Sequence, residues 1–268
     1  MKERERVRVA LWESLTEEQR TLVRDGEKLD DLYRCGLKLI QQPRYFCIGS
    51  DAVLLADFVR PRTGERILEA GCGNGALLML LYVKCPQGRY VGVEVMENSA
   101  DLAYRNLRLN GLEETLRVVR DDFRTWAPKN GPFDQIVCNP PYFPRGTCRV
   151  SKVPERAAAR FEMNGTLAEF FTAAAAALTP EGCFSLVVPA ARQREVLEAA
   201  TAARLFCQRR RSVLNLREDA PLLDLWAFTP RLGTETVILP PICISRADLV
   251  CKQHWPPADD LLSPTDCR

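Results

Sequence analysis

Hydrophobic residues in this chain occur as short apolar runs separated by segments with helical spacing. The runs that predict strands lie at 66–70, 90–94, 116–119, 133–138, 182–189, 206–216 and 222–228. The segments that predict helices between them lie at about 76–83, 99–110, 166–178 and 191–203. Strands that alternate with helices predict an α/β fold: a doubly wound, mostly parallel sheet of seven strands with helices on both faces.

The residues before this alternating region have a weaker pattern. A charged segment is expected to be helical around residues 9–22. Two apolar runs, 37–40 and 45–48, flank a Gln-Gln-Pro-Arg sequence and predict a hairpin. Ser50 or Asp51 is expected to cap the helix that follows.

The pattern also suggests where the chain divides. We expect a charged, partly helical extension at 1–30, an α/β domain at 31–235 and a C-terminal strand or tail at 236–268. The segment 236–245 is predicted to pair with one of the last two strands of the sheet.

Composition excludes several classes of protein. The chain has 268 residues, of which 46% are hydrophobic, so it is long enough to bury a full core. Its net charge is only +2, so any nucleic-acid surface must come from local clustering of basic residues. The chain has no long apolar run, and its first residues do not resemble a signal peptide. We therefore expect a cytoplasmic protein with no membrane partner.

The eleven cysteines do not predict disulfides. Their number is odd, and Cys138, Cys183 and Cys207 lie inside apolar runs, as is typical of reduced, buried thiols. Cys251 and His254 have a spacing that suits a metal, but the chain has no Cys-x-x-Cys pair, so no metal site is expected. His254 is the single histidine, which argues against a Ser-His-Asp hydrolase.

A glycine-rich segment follows the strand at 66–70. Gly71-Cys72-Gly73-Asn74-Gly75 leads into a helix, and such a loop lets a ligand approach the backbone beside free N–H groups. Glu94 ends the next strand, about twenty residues further on, the spacing at which a carboxylate binds ribose hydroxyls. These features predict a nucleoside site, but they fit a nicotinamide dinucleotide equally well.

The sequence Asn139-Pro140-Pro141-Tyr142 separates these two cofactor classes. Two prolines end the preceding strand and hold a polar amide at its carboxyl end. The Asn139 side-chain oxygen and the Pro140 carbonyl are two acceptors for the N–H groups of an exocyclic amine, and Tyr142 offers a ring for stacking. Hydride transfer needs no such arrangement, so we favour chemistry at a base nitrogen.

The motifs together resemble a known family. The segment 69–75, Glu94, Asp122 and the Asn-Pro-Pro-Tyr sequence are similar to class I S-adenosylmethionine methyltransferases that modify exocyclic or amide nitrogens. The segments 36–42 and 49–56, with Phe46, resemble the bacterial tRNA adenine-N6 methyltransferases, which act on the adenosine beside the anticodon of valine tRNA. The resemblance spans about residues 30 to 230, and it implies a Rossmann-like class I methyltransferase fold.

The resemblance also implies a role for each matched residue. S-adenosylmethionine is the expected cofactor, and its expected contacts are Glu69, Gly71, Gly73, Gly75, Glu94 and Asp122. The target base is expected to be held by the catalytic residues Asn139, Pro140 and Tyr142. One departure is Glu69, where the family commonly has aspartate.

Further contacts with RNA are expected around this site. Five basic residues and one acidic residue in the segment 145–160 give it a local charge of 5 − 1 = +4, which suits a lid over phosphates. The candidate substrate contacts are Phe46, Asp51, Phe143, Arg145, Arg149, Lys152 and Arg160. For Asp51 a helix cap is the favoured alternative, and for the two phenylalanines a place in the core or cavity wall. The basic run 209–211 is a second RNA candidate. Alternatively, its charges prevent aggregation through an exposed edge strand.

These observations predict a methyltransferase that modifies N6 of adenine in RNA, with tRNA as the expected substrate. Two alternatives stay open at this stage. One is a protein-glutamine N5-methyltransferase acting on release factors, although such enzymes resemble one another in having a longer helical N-terminal domain. The other is a non-catalytic RNA-binding relative with the same fold.

Overall fold

The computed structural model describes residues 3–32, 36–45, 47–142, 165–215, 221–233 and 235–244. The helices are α1 (Glu3–Glu13), α2 (Glu17–Thr21), α3 (Ser50–Phe58), α4 (Ala76–Lys84), α5 (Glu97–Leu109), α6 (Phe123–Asn130), α7 (Leu167–Ala177) and α8 (Gln193–Ala202). The strands are β1 (Lys28–Asp31), β2 (Lys38–Gln41), β3 (Arg66–Ala70), β4 (Arg89–Glu94), β5 (Leu116–Arg120), β6 (Phe133–Cys138), β7 (Leu178–Pro189), β8 (Phe206–Asn215), β9 (Pro221–Thr229), β10 (Val237–Ile238) and β11 (Ile242–Ile244).

The main sheet confirms the predicted α/β architecture. Its strand order is β10-β8-β9-β7-β6-β3-β4-β5, and β11 also pairs with β8. Strands β3 to β7 are parallel to their neighbours in this group, whereas β9 is antiparallel to both β7 and β8. The described residues therefore form a sheet of nine strands rather than seven. The two additional strands, β10 and β11, come from the segment 236–245, which was predicted to pair here.

Hydrophobic side chains cover both faces of the sheet. Neighbouring residues of β6 show this directly, because Ile136 and Val137 are both fully buried but belong to different core clusters. The cluster that contains Ile136 includes residues of α7 and α8, and the cluster that contains Val137 includes residues of α3 and α4. Successive side chains of a strand point to opposite faces, so helices on both sides explain the continuous apolar runs.

The predicted hairpin has a different partner. Strand β2 pairs with β1, which precedes it, and residues 45, 47 and 48 are not in a strand. The other edge of β2 is occupied by two side-chain amides, those of Asn106 in α5 and of Asn110, which directly follows that helix. Asn106 accepts a hydrogen bond from the Ile40 N–H at 2.6 Å and donates to the Ile40 carbonyl at 3.0 Å. Asn110 makes the same two contacts with Lys38, so no edge remains for a strand at 45–48.

The N-terminal extension packs on the domain rather than away from it. It contains two helices, and Thr16 caps the second through a reciprocal pair of hydrogen bonds with Gln19. Leu15 and Leu22 are buried in a cluster that also contains Leu102 and Leu109 of α5. None of the helices in the described ranges is both long and apolar enough to cross a membrane.

The cysteines in the described residues are free thiols. Cys138 is buried, while Cys183 and Cys207 are partly buried. The same residues contain no group of three or more His, Cys, Asp or Glu side chains that could hold a metal ion. Cys251 and His254 lie outside the part of the chain that the structure describes.

Candidate active site

A cavity of about 790 Å³ lies at the carboxyl ends of β3, β4 and β6. This is the edge at which open α/β sheets bind ligands, and the volume falls within the usual range for small-molecule sites. The residues predicted from the sequence that line it are Asp51, Glu69, Gly71, Gly73, Glu94, Asn139, Pro140 and Tyr142. The structure thus brings the expected cofactor side and the expected substrate side into one cavity.

The glycine loop has the backbone shape that only glycine adopts readily. Gly71, Gly73 and Gly75 have φ angles of +70°, +54° and +78°. A Cβ atom at Gly71 or Gly73 would meet no other atom within 4 Å, so space is open beside this part of the loop. Gly75 instead precedes the first residue of α4 and packs against Ala103 of α5. It is not among the residues that line the cavity.

Glu94 joins the end of β4 to the glycine loop. Its Oε2 atom accepts a hydrogen bond from the Gly73 N–H at 2.9 Å, and its Oε1 atom accepts one from the Met96 N–H at 2.8 Å. Burial raises the pKa of this carboxyl, and the backbone hydrogen bonds oppose that shift. The side chain is therefore held rigidly, with acceptor capacity left for a hydroxyl in the cavity.

Glu69 is a buried cavity residue whose hydrogen-bonding capacity is only partly used. The residue is only 3% exposed, and its Oε2 atom has no hydrogen-bond partner among the described residues. Burial is the main reason that its pKa lies well above the usual value; a backbone hydrogen bond from Leu78 opposes the shift, and the charge of Glu94 adds to it. A buried acceptor without a donor is unfavourable. A ligand with a cationic amino group would satisfy it, so these residues fit the amino-acid part of S-adenosylmethionine.

Asp122 lies away from the cavity lining. Its carboxylate caps α6 by accepting from the Arg124 N–H at 2.9 Å, and it pairs with the Arg124 guanidinium at 2.6 Å. The hydrogen bonds with Arg124 hold the pKa of Asp122 below its usual value. Arg124 also contacts Glu169, so Asp122 helps to connect α6 with α7. A contact between Asp122 and the cofactor stays a prediction.

The Asn-Pro-Pro-Tyr turn begins where the sequence predicted, directly after β6 ends at Cys138. The Asn139 side chain forms no hydrogen bond with any described residue, so its amide is available to a ligand. The carbonyl of Pro141 accepts a hydrogen bond from Arg192 at 2.9 Å. Arg192 is 8% exposed and is itself held by Glu195. Arg192 therefore holds the turn in place without lining the cavity, and the sequence did not identify this residue.

Tyr142 is fixed at its hydroxyl. The Tyr142 O–H donates a hydrogen bond to Oδ2 of Asp51 at 2.6 Å. Burial raises the pKa of Tyr142, and the neighbouring Asp51 charge raises it further. The prediction that Ser50 or Asp51 caps α3 is wrong, because the cap residue is Gly49 and Asp51 lies in the first turn of the helix. The Asp51 side chain instead lines the cavity.

The remaining RNA candidates divide into two groups. Six lie outside the described residues: Phe46, Phe143, Arg145, Arg149, Lys152 and Arg160. The other group is the run 209–211 on β8, which is not a bare edge strand because β10 and β11 pair with it. Its three arginines contact the protein itself, at the Phe58 carbonyl, the Asp224 carboxylate and the Pro240 carbonyl respectively.

Comparison with known proteins identifies the family. The family model of the methyltransferase small domain matches residues 45–207. A relative from Tolumonas auensis, named tRNA1(Val) (adenine(37)-N6)-methyltransferase, is 31% identical over 196 residues, which are 73% of this chain and 77% of that protein.

Solved structures show the same fold. A predicted O-methyltransferase from Agrobacterium tumefaciens has a TM-score of 0.59 at 19% identity, with 79% of this chain and 94% of that chain covered. A putative class I S-adenosylmethionine-dependent methyltransferase from Listeria monocytogenes has a TM-score of 0.52 at 14% identity, with 74% and 65% covered. These likenesses confirm the Rossmann-like class I methyltransferase fold. The family model covers more than half of the chain and includes most of the cavity lining, so this chain belongs to the methyltransferase small domain family and is a methyltransferase.

Proposed function

We propose that this chain transfers a methyl group from S-adenosylmethionine to N6 of an adenine in tRNA, at the adenosine beside the anticodon of valine tRNA. The observation that carries the proposal is the position of Asn139 and Pro140. They share one cavity with Glu69 and Glu94, and the Asn139 amide has no partner among the described residues. The relative from Tolumonas auensis, whose name specifies this substrate, supports the same choice.

Asn139 and Pro140 prepare the amine. The lone pair of an adenine amino group is delocalised into the ring, which makes the nitrogen a poor nucleophile. The Asn139 side-chain oxygen and the Pro140 carbonyl accept hydrogen bonds from its two N–H groups. These bonds favour a tetrahedral geometry, in which the lone pair is localised on the nitrogen. Tyr142 stacks on the base, a contact worth about 1–3 kcal/mol. Orientation of the reacting groups provides most of the catalysis.

The other wall of the cavity holds the cofactor. S-adenosylmethionine supplies an electrophilic methyl group attached to a positively charged sulfur. Glu69 accepts hydrogen bonds from its amino group, Gly71 and Gly73 let the backbone approach it, and Glu94 binds its ribose hydroxyls. We assign this chemistry to the segment 31–235. A base must leave its stack to enter such a cavity, and the basic residues of 145–160 bind the neighbouring phosphates.

Methyl transfer from radiolabelled S-adenosylmethionine tests the proposal. Purified protein is incubated with total tRNA and, in parallel, with release factor, and the labelled tRNA is digested to nucleosides. We expect label in N6-methyladenosine from tRNA. Label that appears only in the release factor would overturn the RNA assignment.

Asn139→Ala tests the catalytic assignment. We expect near-complete loss of transfer with cofactor affinity retained, because the amide acts on the target amine. Asn130→Ala is the matched control, since Asn130 is exposed at the end of α6 and does not line the cavity. Unchanged turnover of Asn139→Ala would contradict the role given to the amide.

A further inference from the structure

One hydrogen bond connects two segments that line the cavity. Tyr142 belongs to the turn after β6, and Asp51 belongs to the first turn of α3, about ninety residues earlier. Asp51 is only 7% exposed, and the Tyr142 ring packs against the core cluster that includes α3. A buried carboxylate that accepts a hydrogen bond from a phenol O–H, with 2.6 Å between the two oxygens, makes a strong, charge-assisted contact.

Gly49 gives this carboxylate its space. A Cβ atom at residue 49 would lie 2.4 Å from Oδ1 of Asp51, which is too close, and 3.2 Å from Cγ, which is a tight contact, so the carboxylate would have to move. The backbone does not require glycine, because its φ angle of −101° is open to any residue. The absent side chain at residue 49 is therefore explained by the position of Asp51.

We propose that Asp51 is a positioning residue that fixes the ring of Tyr142 for stacking on the target base, and that Gly49 is small to admit its carboxylate. Arg192 holds the Pro141 carbonyl, so the backbone next to Tyr142 and the hydroxyl at the end of its ring are both anchored. These two anchors restrict the Tyr142 ring to one orientation relative to the base.

The contacts of Asp51 favour positioning over proton transfer. Its Oδ1 atom accepts from the Ala52 N–H at 2.8 Å, and its Oδ2 atom accepts from Tyr142. Both oxygens thus have donors within the protein. A displacement of about 1 Å at a reacting group can lower the rate by about 100-fold, so loss of this anchor should act on turnover.

The first test rests on the proposed function and measures steady-state methylation of tRNA. Asp51→Ala and Tyr142→Phe should each lower kcat about tenfold with little change in KM for the cofactor, because a charge-assisted hydrogen bond is lost. The double variant should be no slower than the slower single variant, since both remove the same contact. Asp51→Asn should recover most of the activity, because its amide oxygen accepts from the phenol. Additive losses, or an Asp51→Ala enzyme as fast as the wild type, would overturn the proposal.

Gly49→Ala gives a second test that does not remove either partner. In the wild-type background it should lower kcat about as much as Asp51→Ala, because the new methyl group displaces the carboxylate. In the Asp51→Ala background it should have no further effect, because the atoms that it would meet are gone. An equal loss in both backgrounds would show that residue 49 acts independently of Asp51. Thermal melting of each variant confirms that it is folded.

A spectroscopic test needs no substrate. The six tyrosines can be labelled with ¹³C at the carbon that carries the hydroxyl, and the Tyr142 resonance is identified by its absence in Tyr142→Phe. Asp51→Ala and Gly49→Ala should both shift this resonance, and an unchanged resonance would overturn the proposal. If the resonance shifts but the wild-type protein methylates no tRNA, the proposed substrate is wrong and the anchoring of Tyr142 by Asp51 is supported.

Discussion

Glu69→Gln should make the free protein more stable and its complex with S-adenosylmethionine weaker. Glu69 is buried and its Oε2 atom has no donor among the described residues. Burial raises the pKa of its carboxyl well above the usual value. Between the ordinary pKa of about 4.3 and the raised one, the folded protein therefore binds a proton that the unfolded chain has lost, so stability falls as pH rises through this window.

The glutamine variant removes that penalty because it is neutral and has nearly the same shape. Its melting temperature should match that of the wild type near the ordinary pKa of a glutamate and exceed it increasingly toward neutral pH. The effect on binding has the opposite sign. A hydrogen bond between charged groups contributes about 1.5–3 kcal/mol, so its loss should weaken cofactor binding about 10- to 150-fold.

Melting curves across this pH range and calorimetric titration with S-adenosylmethionine measure the two effects separately. Glu114→Gln is the matched control, because Glu114 is exposed and should change neither quantity. Cofactor affinity that stays at the wild-type value would refute the contact with the amino group. A variant that loses both stability and affinity would show that Glu69 supports the fold rather than the ligand.

Two further predictions concern residues near the cavity. Arg192→Ala should lower kcat about tenfold while cofactor affinity is kept, because the Pro141 carbonyl loses its donor; unchanged methylation kinetics would show that the turn is held without it. Asp122→Asn should lower the free energy of unfolding by about 1 kcal/mol or less, because its pair with Arg124 is partly exposed, and calorimetry should find unchanged cofactor affinity. A marked loss of affinity in Asp122→Asn would instead support the cofactor contact that the family resemblance implies.

The strands of the central sheet were predictable because both of their faces are buried. The segment 66–70 is a strand with the same limits in the structure, and β6 ends at the residue before Asn139, as two prolines require. Burial on both sides makes a strand apolar throughout, and this pattern does not depend on distant partners. The cavity was predictable for a similar reason, since parallel strands bring their carboxyl ends to one edge.

Features that depend on distant side chains were not predictable. The partner of β2 could not be identified from local pattern, because its second edge is occupied by Asn106 and Asn110, more than sixty residues away. Helix α6 was missed because Pro128 lies inside it. Asp122 shows a further limit, because a carboxylate after a strand suits both a helix cap and a ligand.

The amide of Asn106 has a consequence for where the chain can be shortened. Besides Ile40, it donates a hydrogen bond to the Asn74 carbonyl of the glycine loop, so a single side chain connects the first hairpin to the loop. A truncated protein that began at residue 45, where the family match begins, would leave this amide half unpaired and expose leucines of α5 to water. We therefore expect a stable unit to be longer than the family match, and an expression boundary should be placed before Leu15, because Leu15 and Leu22 also cover the leucines of α5.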